Sequence, residues 1–224
     1  MKRTEIRVGL IGVGVVGQGI LRLLSDNAKQ IRERLGVPIV MARMVARDPK
    51  KARTDGIARD RLTFNPKDVT QNPNIDIVVE VMGGVDPAYD IVREAIANGK
   101  HVVTANKALM AERGNELIEL AERKNVDLYF EGAVAGGVPI LRLLREAMSS
   151  DRITRLRGIV NGTSNYVLTE MGEKGLSFDA AVRGAQEKGY AEADPTLDIS
   201  GGDAAHKLTI LATLAFGAPV RHAD

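Results

Sequence analysis

The chain has 224 residues, 44% hydrophobic and 27% charged, with 31 basic against 29 acidic side chains and a formal net charge of +2. This is ordinary for a globular protein of one large or two small domains, and a charge so near zero, without a basic stripe, gives no sign of a nucleic-acid surface. There is no cysteine, which removes disulfides, thiolate zinc sites and thioester chemistry. No apolar run approaches transmembrane length and no signal-peptide core opens the chain, so no membrane partner is expected and the cytoplasm is the expected location. Aromatic residues are only 4%, so the cores must be built from Val, Ile, Leu and Ala.

In chain order, an apolar run of strand length over 6–11 meets Gly12-Val13-Gly14-Val15-Val16-Gly17, and a helix is expected over about 19–35. Gly12, Gly14 and Gly17 have the G-x-G-x-x-G spacing. The first allows a tight turn, the second lets the backbone approach a pyrophosphate, and the third lets helix and strand pack closely. The helix behind them, with Val15 and Val16 at the cradle, aims its N–H groups at phosphates. A glycine-rich turn that binds nothing is the alternative. Ile20, Leu23, Leu24, Ile31 and Leu35 recur at roughly helical spacing, and Gly36 with Pro38 ends the helix.

The run 39–46 predicts a second strand, whose end lies beside the adenosine ribose in dinucleotide folds. Arg47, Lys50 and Lys51 suit the 2′-phosphate of NADP, whereas Asp48 suits the free hydroxyl of NAD; the balance leans to NADP. A solvated charged turn is the plainer alternative. Residues 53–74 read as irregular, with a short apolar piece at Leu62-Thr63-Phe64. A buried parallel strand is expected over 75–81, ending at Gly83-Gly84, where ligands sit in open α/β sheets. A helix from about Pro87 to Asn98, a strand over 100–104, a helix over 108–124 and a strand over 126–130 complete the alternation. The fold expected is α/β: a Rossmann-type doubly wound parallel sheet, followed by a smaller, incomplete α+β catalytic and dimerisation domain. The boundary falls near 132–138, giving a dinucleotide-binding domain over 1–134 and a partial catalytic domain over 135–224.

In the second part, a small-residue loop leads into a helix from Ile140 to about Met148. The run 153–160 predicts a strand with Arg155 and Arg157 on one face and Leu156 on the other. Asn161-Gly162-Thr163-Ser164-Asn165-Tyr166 reads as a polar turn into a helix, and the turn alone accounts for its Asn and Gly. The stretch 185–207 is richest in potential chemistry: a Gly-, Asp- and Pro-rich loop before an apolar helix over about 203–216. Asp203 and Lys207, four apart, share a face of that helix, and Leu211 extends it inward. A buried lysine beside a carboxylate suits a proton donor or acceptor. Glu192 and Asp203 together suit a cationic group such as a substrate ammonium. Two plainer alternatives stand beside this: Asp203 as a helix N-cap, and Asp203–Lys207 as a surface ion pair. His206 and His101 read as structural.

The whole chain resembles homoserine dehydrogenase. The resemblance rests on Thr104-Ala105-Asn106-Lys107, on the stretch Glu131-Gly132-Ala133-Val134-Ala135-Gly136-Gly137-Val138-Pro139, on 158–166, and most specifically on 185–207. It implies NAD(P)-dependent interconversion of L-homoserine and L-aspartate 4-semialdehyde, in the threonine, methionine and isoleucine branch of amino-acid biosynthesis. It implies Lys207 as proton donor to the aldehyde oxygen, Glu192 and Asp203 as substrate-binding residues, Lys107 at the cofactor–substrate junction and Gly189 as a backbone contact to the cofactor. It further implies a sodium-type monovalent cation held by Glu131 and the backbone of Val134, Gly136 and Val138, and a homodimer. Family members continue past the lysine helix, so a C-terminally truncated chain is expected. Two other readings remain beside the enzyme: another NAD(P)-dependent reductase on the same plan, and a non-catalytic dinucleotide-binding module. Aspartate-semialdehyde dehydrogenase is disfavoured because its chemistry needs a cysteine nucleophile.

Overall fold

Short apolar runs separated by amphipathic stretches give strands covered by helices, and six such strands line up side by side. They are β1 (Ile6–Ile11), β2 (Ile39–Val45), β3 (Leu62–Thr63), β4 (Ile77–Glu80), β5 (His101–Thr104) and β6 (Leu128–Tyr129). Their order in the sheet is β3-β2-β1-β4-β5-β6, and every neighbouring pair is parallel. This is the doubly wound dinucleotide-binding order, with its switch point between β1 and β4. The computed structural model describes residues 4–47, 59–192 and 194–223. The chain divides into two compact units, Met1–Ala133 and Val134–Asp224.

In the first unit the helices are α1 (Val15–Asp26), α2 (Ala28–Leu35), α3 (Lys67–Thr70), α4 (Ala88–Ala97) and α5 (Lys107–Lys124). On α4 the buried residues Ala88, Ile91, Val92, Ala95 and Ile96 form one stripe at helical spacing, which faces the core. Leu10, Val78, Val102, Leu109 and Leu117 are fully buried, and Phe130 is the one aromatic in the buried hydrophobic set of the described residues. The aliphatic core expected from composition is therefore what forms. A cluster ties α4 to α5: Tyr89 donates its hydroxyl to Glu116 at 2.7 Å, and Arg113 donates two N–H groups to the same carboxylate at 2.8 Å. The Arg113 guanidinium lies 3.8 Å from the Tyr89 ring centroid. Arg113, and then Tyr89, hold the Glu116 carboxyl down at about 2. Just before β5, the buried Lys100 ammonium donates to the carbonyls of Asn72 and Ile75 at 2.5 and 2.7 Å, and burial lowers its pKa.

The second unit is helical among its described residues. It contains α6 (Ile140–Arg142), which runs into a π-helical turn at Leu143–Ala147, then α7 (Gly162–Lys174), α8 (Phe178–Glu187), α9 (Thr196–Ile199) and α10 (Gly202–Phe216). Val167, Ala181, Ala185 and Ala191 form a small core between α7 and α8, flanked by Tyr166, Met171 and Val182. Gly175, at φ 65°, ends α7, and Ser177 caps α8.

Three local expectations are corrected. The single helix over 19–35 begins earlier, at Val15, and is interrupted at Asn27. There the Asn27 side chain donates to the Leu23 carbonyl at 2.9 Å, beside its own backbone N–H at 3.1 Å. A short polar side chain competes in this way with the helical ladder. The stretch read as irregular contains the edge strand β3 and the single turn α3, both too short to show a periodicity. The strand expected over 153–160 does not form: 152–161 has no regular structure. A strand needs a neighbour for its backbone groups, and among the described residues of the second unit there is no strand to pair with it. Arg155 and Arg157 are exposed there, as is Ile159.

Candidate functional site

The first site is a cleft of about 710 Å³ at the carboxyl ends of the first unit's strands. It is lined by the turn after β1 (Gly12, Val13, Gly14) and Val15 at the start of α1, by Val45 at the end of β2 with Ala46 and Arg47 after it, by Phe64 and Pro66 after β3, and by Val81, Met82 and Gly83 after β4. Each glycine of the motif has a distinct environment. Gly12 sits at φ +106°, and a Cβ there would lie 2.8 Å from the Val81 carbonyl oxygen. A Cβ on Gly17 would lie 2.1 Å from the Gly12 carbonyl oxygen, so helix and turn meet only if residue 17 lacks one. A Cβ on Gly14 would meet nothing within 4 Å. That space is open at the mouth of the cleft, where the start of α1 has no side-chain cap. Open backbone at a helix N-terminus fits a phosphate group. Val15 and Val16 are 73% and 55% exposed at the same place. Arg47 is exposed and lines the cleft; Asp48, Lys50 and Lys51 of the charged turn lie outside the described residues.

Behind the cleft runs a buried polar network. Glu80, fully buried at the end of β4, accepts from the Met82 N–H at 2.7 Å and from the Thr104 hydroxyl at 2.6 Å. Thr104 Oγ1 accepts from the Asn106 N–H at 3.0 Å. Asn106 donates its Nδ2 to the Gly84 carbonyl at 2.5 Å and caps α5 by accepting from the Leu109 N–H at 3.1 Å. A buried carboxylate is tolerated when its oxygens are hydrogen-bonded, as both are here. The network ties the loop after β4 to the start of α5 and so fixes Lys107, the half-buried first residue of that helix.

The second site lies in the second unit, at the start of α10. Lys207 Nζ donates to Asp203 Oδ2 at 2.7 Å and to the Val160 carbonyl at 2.7 Å. The Lys207 side chain is 19% exposed and the Asp203 side chain 3%. This corrects both plainer alternatives. The pair is not on the surface, and the cap position of α10 is Gly201 at φ 82°, with Asp203 inside the first turn. Asn161 donates its Nδ2 to Asp198 Oδ1 at 2.7 Å and to Asp203 Oδ2 at 2.8 Å, while its Oδ1 accepts from the Ser164 N–H at 2.7 Å and caps α7. Asn161 and Asp198 are therefore members of the site that the sequence did not single out. In the sequence Asn161 shows as the start of a polar turn within 158–166, and Asp198 as one of several acids in 185–207. Leu211 is buried, as its place on the Lys207 face requires.

Other candidates fall outside this network. Glu192 has an exposed side chain in the loop after α8, where its backbone carbonyl accepts from Gln186 Nε2 at 3.3 Å. Gly189 turns the chain at φ 74°, its N–H donated to the Gln186 carbonyl at 3.0 Å. Glu131 lies in the 3₁₀ turn Glu131–Ala133 that closes the first unit. Val134 is buried at the start of the second unit, and Gly136 and Val138 are exposed; the Val138 carbonyl accepts from the Ile140 N–H at 2.8 Å, which leaves it one lone pair. One carboxylate with backbone carbonyls is an oxygen donor set suited to a hard cation. Among the described residues no group of three or more His, Cys, Asp or Glu side chains could hold a metal ion. His206 is buried, its ring 4.4 Å from that of His222, and His101 accepts the Asp127 N–H at 3.1 Å. No helix of the described residues is long and apolar enough to cross a membrane.

Comparison with known proteins covers both units. Residues 12–131 match the family model for the homoserine dehydrogenase NAD binding domain, and residues 139–224 match the homoserine dehydrogenase model. A homoserine dehydrogenase of Pseudomonas aeruginosa is 50% identical over 216 residues, covering 96% of this chain and 49% of that protein. A crystal structure of a homoserine dehydrogenase from Thiobacillus denitrificans superposes with a TM-score of 0.89 at 52% identity, covering 98% of this chain and 51% of that one. A hyperthermophilic archaeal homoserine dehydrogenase in complex with NADPH superposes with a TM-score of 0.82 at 27% identity, covering 96% of this chain and 71% of that one. The chain spans about half the length of the curated relatives it matches.

Proposed function

The chain belongs to the homoserine dehydrogenase family, and from that premise we propose that it carries the dinucleotide-binding and lysine-bearing parts of an enzyme that interconverts L-homoserine and L-aspartate 4-semialdehyde. The observation that carries this reading is the Lys207 ammonium, held by Asp203 and the Val160 carbonyl and still partly exposed. Two of its three protons are committed, and the third suits a substrate oxygen. In the reducing direction Lys207 donates that proton to the aldehyde oxygen as the carbonyl carbon gains a hydride, which yields the primary alcohol; in the oxidising direction the proton returns to the lysine. The dinucleotide, when bound, supplies or accepts the hydride. Gly12, Gly14, Gly17 and the α1 start with Val15 and Val16 hold its pyrophosphate, and Arg47 favours the 2′-phosphate of NADP. Lys107 would serve at the cofactor–substrate junction, and Gly189 would offer its backbone to the cofactor. Asp203, with Asp198 and Glu192, supplies the negative charge that an amino-acid ammonium needs. Residues 1–134 serve as the dinucleotide domain and 135–224 as part of the catalytic domain.

A monovalent cation on Glu131 and the carbonyls of Val134, Gly136 and Val138 belongs to the same proposal, as do a cytoplasmic location and a homodimer. The dimer rests on the family resemblance and on exposed Ile159, Leu168, Leu208 and Phe216 in the second unit. Sedimentation at high concentration tests it, and a purely monomeric profile contradicts it. Homoserine-dependent reduction of NADP⁺, with NAD⁺ in parallel, tests the reaction on the 224-residue chain. Turnover with NADP⁺ preferred is the expected result. Dinucleotide binding without turnover would make this polypeptide a binding module instead.

A further inference from the structure

Asn161 is explained in the sequence by its turn, yet the structure gives its side chain three partners on three helices. Its carbonyl caps α7, and its one nitrogen bridges Asp198 on α9 and Asp203 on α10. The residue is 9% exposed, so these bonds are shielded from competing water. Two carboxylates within hydrogen-bond reach of a single nitrogen repel each other, and the two amide protons lie between them. Asp203 Oδ2 is shared by Asn161 and Lys207, and the carbonyl just before Asn161, that of Val160, accepts from the same ammonium. Both known acceptors of Lys207 are thus set by the Val160–Asn161 corner. A lysine is a mobile point charge on a flexible stem, and its remaining proton has a direction only while its acceptors are fixed.

We propose that Asn161 is a positioning residue for Lys207: by locking the Asp203 carboxylate it aims the third ammonium proton. The proposal rests on the lysine's role in the reaction given above, and its test separates the two. Asn161→Ser keeps a good N-cap for α7 but is too short to bridge both carboxylates. Asn161→Thr likewise offers a capping oxygen without the amide donors and without a new charge, and serves if the serine variant fails to fold. The first readout is the rate at which a trace amine-acylating reagent labels Lys207, followed by peptide mass spectrometry, with exposed Lys124 as internal reference. It needs no turnover. The second is homoserine-dependent kinetics.

The expected result is labelling of Lys207 raised about threefold or more over Lys124. Where the wild-type chain turns over, kcat should fall about tenfold or more with KM for the dinucleotide unchanged. Labelling and kcat both at the wild-type level would overturn the proposal, as would raised labelling with undiminished kcat. A wild-type chain without turnover would contradict the activity of this polypeptide alone; the labelling ratio would then decide, a raised value supporting the role of Asn161 and a wild-type value overturning it.

Discussion

The dinucleotide cleft of the first unit and the lysine network of the second are made of different material. At its glycine turn the cleft presents backbone: a positive-φ residue at Gly12, an uncapped helix start, and open space at Gly14. The lysine network is made of side chains from α9, α10 and the residue before α7, closed by four hydrogen bonds of 2.7–2.8 Å among Asn161, Asp198, Asp203, Lys207 and the Val160 carbonyl. A site of backbone needs residues that are absent or small, so it fails when an atom is added. A site of side chains needs particular groups, so it fails when one is taken away. The first suits a large ligand common to many reactions; the second suits one proton on one substrate.

Adding single methyl groups to the cleft sharpens this contrast. Gly17→Ala places its Cβ 2.1 Å from the Gly12 carbonyl oxygen, a backbone atom with no rotamer to yield. The expected cost is about 3 kcal/mol, the upper part of the range for overpacking, seen as a fall in Tm of roughly 6–12 °C. Gly14→Ala meets no protein atom within 4 Å, and Gly14 has an ordinary negative φ. Its Tm should stay at the wild-type value while the dissociation constant for NADP rises about tenfold or more, or about 1.4 kcal/mol. Equal affinities in a calorimetric titration would break the claim that the Gly14 space belongs to the ligand.

The smallest effect concerns the α4–α5 cluster, which serves neither site. Arg113 holds the Glu116 carboxyl at about 2, below its ordinary 4.5. A lowered carboxyl pKa stabilises the fold above the unfolded value, and that contribution is lost as pH falls from about 4.5 through about 2. The Tm difference between wild type and Glu116→Gln should therefore be present at pH 6 and vanish near pH 2. It should be small, because the Arg113 and Glu116 side chains are 37% and 54% exposed and solvent screens them. A difference that grows on acidification would contradict the assignment.

The same division decides what could be read from the sequence. The spacing of Gly12, Gly14 and Gly17 carries the cleft almost by itself, because each requirement is local to one turn and one helix start. The strand–helix alternation shows the parallel sheet, apart from β3, whose short apolar piece Leu62-Thr63-Phe64 is not followed by a long helix that would mark it as part of the alternation. In the second unit the i,i+4 spacing of Asp203 and Lys207 was legible for the same local reason. Asn161 and Asp198 were not, since 37 residues separate them and only the packing of α7, α9 and α10 brings them together. The failed strand over 153–160 has a related cause: its alternation is real, but a strand is a property of two segments, and one was in view.

The most direct measurement is Lys207→Ala, assayed for homoserine-dependent NADP⁺ reduction and, in the same preparation, for NADP affinity. Loss of a positioned general acid–base group should lower turnover by roughly 10²–10⁴-fold, with the dissociation constant for NADP unchanged. Retained turnover would remove Lys207 from the chemistry, and a collapse of NADP affinity would show that the two sites are not built independently.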